Sequence, residues 1–179
     1  MRMKIGIGIG EEIGGAPADL NGIIAQAKRA EADGFASGWF NSIFGFDAIM
    51  LAALCARETT RIELGTAVVP TFPRHPVAMA QQAMTAQAMA GGRFTLGIGL
   101  SHQVVIETML GLSFAKPFTH MKEYLGVLAP LMRTGSAMYQ GSEYRVAASL
   151  NVPGGQPCQI LVAALAPKML ALTGAEADG

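Results

Sequence analysis

Charge is scarce in this chain, and what there is balances. Only 15% of the 179 residues are charged, thirteen basic against thirteen acidic, so the formal net charge at pH 7 is zero. A neutral surface supplies no polyelectrolyte attraction to nucleic acid or an anionic membrane, and neither is expected as a partner. Long apolar runs are missing too. The clearest, residues 48–56, is about half of the roughly 18 residues that a membrane span needs. A secretory leader is not expected, because isoleucine and glycine alternate near the start and Glu11 and Glu12 follow. Cysteine is limited to Cys55 and Cys158, both in apolar runs without metal-ligand or redox spacing. They are expected as reduced structural thiols in a cytoplasmic protein, and no metal site is expected. Aromatics make up 7%, so the 51% hydrophobic content is mainly aliphatic, with 22 glycines and 11 methionines. Such a composition excludes a disordered chain and suits one domain with a sizeable core.

Hydrophobic periodicity alternates between strand and helix. Strands are expected at 4–10, 35–41, 61–69, 93–100 and 159–165. Between them, Leu20, Ile23, Ile24, Ala27 and Glu31 mark a helix, and Asp47 is a plausible N-cap for another at 48–57. Pro76 opens a helix that runs to Ala90, and Gly91 and Gly92 stop it. Phe118, Met121, Leu125, Leu128 and Met132 mark a fourth helix, on which His120 reads as a surface residue. A hairpin is expected at 139–152 and a fifth helix at 167–177. Strand starts recur about every 30 residues, the length of a βα unit, without a linker between units. The fold class is α/β, with parallel strands covered by helices.

Several spots carry chemical content. Gly6 and Gly8 invite a dinucleotide-binding reading, which fails because the third glycine of the fingerprint would fall at Glu11. Gly6, Gly8 and Gly10 instead clear one face of strand one, and Gly97 and Gly99 one face of strand four. That leaves room for a backbone or a flat ligand, or simply for tight interior packing. Arg74 and His75 join strand three to its helix at the sheet edge where α/β ligands bind; taken alone, the plainer reading is a solvated flank for Arg74 and an N-cap for His75. Ser101 and His102 end strand four and open a further helix, where the N–H groups would favour a phosphate; the plainer reading is a cap and a solvated residue. Leu165 and Ala166, before Pro167, form a second possible anion site.

The run from Arg61 to Pro70, then Pro73-Arg74-His75-Pro76, then Gly91 to Gly99, resembles the bacterial luciferase-like flavin and deazaflavin oxidoreductases. Gly97-Ile98-Gly99-Leu100-Ser101-His102 and the terminal 174–179 segment are nearer to the coenzyme F420-dependent branch. The resemblance covers nearly the whole chain. It implies a (βα)8 TIM barrel with the cofactor at the C-terminal ends of the strands. It further implies a non-proline cis peptide at Ala67-Val68, bulging against the ring of the cofactor. Gly10, Ser42, Ala67, Val68, Leu100, Ser101, Leu165 and Ala166 would then contact cofactor, and Phe44, Arg74 and His75 substrate. Two departures stand out. Some relatives carry an Asp-His pair where this chain has Ser42-Ile43, and a glutamate proton donor where it has His102, which becomes the candidate catalytic acid.

The implied activity is hydride transfer between reduced coenzyme F420 and a small-molecule substrate. The alternatives are an FMN-dependent monooxygenase and a catalytically inert barrel fragment. Only about five βα units are counted, with a hairpin inserted before the fifth strand. Three more at about 30 residues would complete an eightfold barrel. A truncated chain with an open sheet edge, or a partner chain covering that edge, is therefore expected, and a homo-oligomer (dimer) with it.

Overall fold

The alternation of strand and helix follows from where each segment can bury its apolar face. The computed structural model describes residues 3–10, 19–42 and 44–179; Glu11, Glu12 and Ile43, which enter the sequence arguments above, lie outside these. Six parallel strands form one sheet: β1 (Gly6–Ile9), β2 (Ser37–Phe40), β3 (Glu63–Thr66), β4 (Val69–Pro70), β5 (Phe94–Gly99) and β8 (Gln159–Val162). β1, β2, β3 and β5 follow in order, β4 continues beside β5 above β3, and β8 pairs with β5 on its other side.

Alternate strand residues Ile9, Phe40, Leu64, Leu96, Ile98, Ile160 and Val162 are buried in the core. They pack under α1 (Leu20–Ala32), α2 (Ala48–Glu58), α3 (Pro76–Ala90), α4 (Pro117–Thr134) and α5 (Pro167–Glu176). α2 is apolar all round because it is wedged among α1, α3, β2 and β3. Its start is fixed by Asp47, whose side chain accepts from the Met50 N–H at 2.9 Å. Cys55 and Cys158 are buried and free, and burial pushes their thiols up to about 11 and about 12.

Three elements differ from the sequence expectation. The strand expected at 61–69 breaks at Ala67 into β3 and β4. The hairpin, β6 (Ser136–Gln140) with antiparallel β7 (Arg145–Ser149), starts three residues earlier than expected. The helix expected after His102 is a single π turn, Val105–Met109. β-branched Val104, Val105, Ile106 and Thr108 crowd that segment, and Gly111, at φ 66°, turns the chain away. The residues described include no helix long and apolar enough to cross a membrane, and no group of three His, Cys, Asp or Glu that could hold a metal ion.

Candidate active site at the strand ends

The break between β3 and β4 shapes the site. Gly65 pairs with Thr95, thirty positions on, whereas Val69 pairs with Ile98, twenty-nine on, so one extra residue bulges from the sheet. The peptide bond between Ala67 and Val68 within this bulge is cis. The buried Thr66 hydroxyl fastens the base of the bulge to β5, donating to the Gly97 carbonyl at 2.8 Å and accepting from its N–H at 2.9 Å. The glycines of β5 make this approach possible. A Cβ at Gly97 would sit on the Thr66 carbonyl oxygen, and one at Gly99 would lie 2.7 Å from Val68 Cγ2. On the same principle Gly6 and Gly65 make room for the Trp39 ring.

A cavity of about 490 Å³ opens above the bulge. Asn41, Ser42 and Phe44 line it from the end of β2; Ala67, Val68 and Pro70 from the bulge; Pro73 and Arg74 from the turn before α3; Ser101, His102, Val105 and Leu110 from beyond β5. Seven of the residues singled out in the sequence thus share one cavity: Ser42, Phe44, Ala67, Val68, Arg74, Ser101 and His102. Gly10, His75, Leu100, Leu165 and Ala166 do not line it. Gly10, at φ 84°, donates its N–H to Gln26 Oε1 at 3.0 Å. Leu100 packs against the core. Leu165 is 98% exposed, and Ala166 stands at the N-cap of α5. His75 caps α3, its Nδ1 accepting from the Val77 N–H at 3.3 Å, as the plainer reading had it.

Arg74 is not a solvated flank. Its Nη2 pairs with Asp47 Oδ2, and the two side chains are only 23% and 24% exposed. Its Nη1 is buried without a hydrogen-bond partner among the described residues. Ser101 adopts φ 65° rather than a cap geometry, and the His102 carbonyl takes the Val105 and Ile106 N–H groups. Five residues of π turn align too few N–H groups to draw an anion, which removes the argument from a helix N-terminus at Ser101.

His120 overturns the surface reading. It is 5% exposed, its Nε2 is 2.9 Å from Thr71 Oγ1, its Nδ1 is 3.3 Å from the Tyr144 hydroxyl, and its ring stacks on Phe72. Burial lowers its pKa to about 4 and so keeps it neutral, with Glu143 opposing the shift only in part. The signal was present in the spacing: His120, Tyr124, Val127 and Leu131 form a second buried stripe on α4 beside the one led by Met121. A larger groove of about 650 Å³ lies elsewhere, between α2 and α3; among the described residues, Asp47 is the one ionisable group in its walls.

Comparison with known proteins agrees with this fold. A methylenetetrahydromethanopterin reductase from Archaeoglobus fulgidus is 30% identical over 155 residues, 85% of this chain and 46% of that protein. An F420-dependent glucose-6-phosphate dehydrogenase from Kineococcus radiotolerans is 29% identical over 167 residues, 86% of this chain and 49% of that one. The solved coenzyme F420-dependent tetrahydromethanopterin reductase from Methanopyrus kandleri superposes with a TM-score of 0.82 at 23% identity, covering 100% of this chain and 55% of that one. The chain therefore spans about half the length of the relatives it matches. The model of the luciferase-like monooxygenase family matches residues 3–179, and this chain belongs to that family.

Proposed function

We propose that the chain forms the cofactor-facing part of an oxidoreductase that uses coenzyme F420. The observation that carries this reading is the cavity over the Ala67-Val68 bulge, in a chain whose relatives include proteins named for F420. Its volume suits a small ligand. Ala67, Val68 and Pro70 offer an apolar wall to a flat ring, while Asn41, Ser42 and Ser101 place polar groups at the margin. The coenzyme, when bound, supplies a hydride at C5 of the deazaflavin. The chain orients and encloses: Val68 backs the ring, Phe44 faces the substrate side, Arg74 presents its guanidinium to an anionic group of the coenzyme or the substrate, and His102 at the rim holds the proton that the reduced product needs.

The test titrates the purified chain with F420 and, in parallel, with FMN, reading cofactor fluorescence. Quenching of F420 at micromolar concentration is expected. FMN binding without F420 binding would replace this reading with the flavin monooxygenase. His102→Ala is expected to leave the titration unchanged and to lower turnover by about 100-fold, the scale of one general acid.

A further inference from the structure

α4 grips the turn that carries Arg74 at both of its ends. At one end Thr71 Oγ1 meets His120 Nε2 at 2.9 Å, wholly buried. At the other, the Tyr124 hydroxyl donates to the Arg74 carbonyl at 3.0 Å. The turn is closed internally by the Arg74 N–H on the Thr71 carbonyl at 3.1 Å, and Phe72 lies flat on the His120 ring with centroids 3.9 Å apart. The inserted hairpin completes the arrangement. Its Tyr144 hydroxyl reaches His120 Nδ1, and the ring meets Tyr124 edge-on, with centroids 5.8 Å apart.

None of these three side chains lines the cavity, and α4 could be packed by apolar residues at the same places. Burying an imidazole and a phenol there is unfavourable unless each polar atom finds a partner. A neutral imidazole offers one donor and one acceptor, and the two hydroxyls at its edges satisfy both. The partners chosen are the two ends of one turn, and that turn presents a guanidinium already anchored on Asp47.

We propose that His120, Tyr124 and Tyr144 form a clamp that fixes the 71–74 turn and thereby sets the position of Arg74 in the cavity. They are positioning residues for the site described under Proposed function, and the inference rests on that reading for its ligand. It also ties the hairpin, remote in sequence, to the cofactor end of the sheet.

The experiment uses two conservative variants, Tyr124→Phe and Thr71→Val, each tested alone and with Arg74→Ala. Two readouts are taken: amide hydrogen exchange across residues 71–75, and F420 affinity by fluorescence. Each clamp variant is expected to speed exchange in the turn and to weaken F420 about threefold to tenfold, the scale of one hydrogen bond. In the Arg74→Ala background the further weakening should fall below about 1.5-fold, because nothing is left to position. Equal weakening with and without Arg74 would make the cluster merely structural and overturn the proposal. So would unchanged exchange in both variants. Faster exchange in a protein that never binds F420 would sustain the clamp while removing the cofactor reading. Thr71→Val keeps the shape of the side chain, so it decides the matter should Tyr124→Phe fail to fold.

Discussion

At Gly97 the space for a side chain is held by the Thr66 carbonyl oxygen, which is backbone in a strand end and has nowhere to go. At Gly99 the nearest obstacle is a Val68 methyl, 2.7 Å from the Cβ position, with Ala163 Cβ at 3.3 Å; both are side-chain atoms, so no backbone has to move out of the strand. The two alanine substitutions should therefore differ. Gly97→Ala is expected to destabilise by about 3 kcal/mol or more, since it must push the bulge off β5, and Gly99→Ala by about 1 kcal/mol. Urea unfolding measures both. Gly97→Ala should also abolish F420 binding, because the cavity wall moves with the bulge. An equal, small effect at the two positions would mean that the glycines are not what admits the bulge. The sequence showed these glycines on one strand face but left open whether a ligand or the chain's own backbone filled the space. At Gly97 it is the backbone and at Gly99 the Val68 side chain, each a contact between residues thirty-one positions apart that no local pattern records.

Between elements, one carboxylate of α4 gathers the backbone of the hairpin turn. Glu123 is buried, and its oxygens accept from the backbone N–H groups of Ser142, Glu143 and Tyr144 at 2.8 to 2.9 Å. Burial alone would raise its pKa, but these donors outweigh it and hold the carboxyl at about 2. Glu31 does the same for Thr60, Arg61 and Ile62 and is likewise held at about 2. Both values lie below the usual 4.5, so this stabilisation is complete above about pH 4.5 and is lost as the pH falls towards 2. His120 acts over an earlier range. Its folded value near 4 lies below the usual 6.5, so unfolding gains a proton, and stability declines as the pH falls from 6.5 towards 4. Thr71, Phe72, Tyr124 and Tyr144 face this ring, and Glu143 is the charged group that favours its protonated form. Acid unfolding should thus proceed in two legs. His120→Gln is expected to flatten the upper one and Glu123→Gln to shrink the lower one, as read from urea midpoints between pH 7 and 2. A His120→Gln profile that overlays the wild type would refute the assignment.

For the whole molecule, the order of strands and helices was legible because each βα unit is local and its periodicity switches within about 30 residues. The cavity was legible in part: Ala67, Val68, Ser101 and His102 stand at strand ends, and strand ends in a parallel sheet converge. Arg74's anchoring on Asp47 and the clamp from α4 were not, since both depend on side chains brought together by packing across 27 to 50 positions. The same distribution of residues governs behaviour in solution. Ile5, Ile7, Phe46, Met50 and Leu165 are exposed, spread over β1, the α2–α3 groove and the end of β8. With thirteen charges of each sign and an isoelectric point near 6.8, no net repulsion keeps such surfaces apart at neutral pH. Self-association is therefore expected at neutral pH and is expected to weaken in Met50→Lys, which places a charge in the groove. Sedimentation velocity at two protein concentrations, for the wild type and Met50→Lys, measures this. A single monomeric boundary at pH 7, unchanged in Met50→Lys, would show that exposed aliphatic area of this kind is too dispersed to drive association even without charge to oppose it.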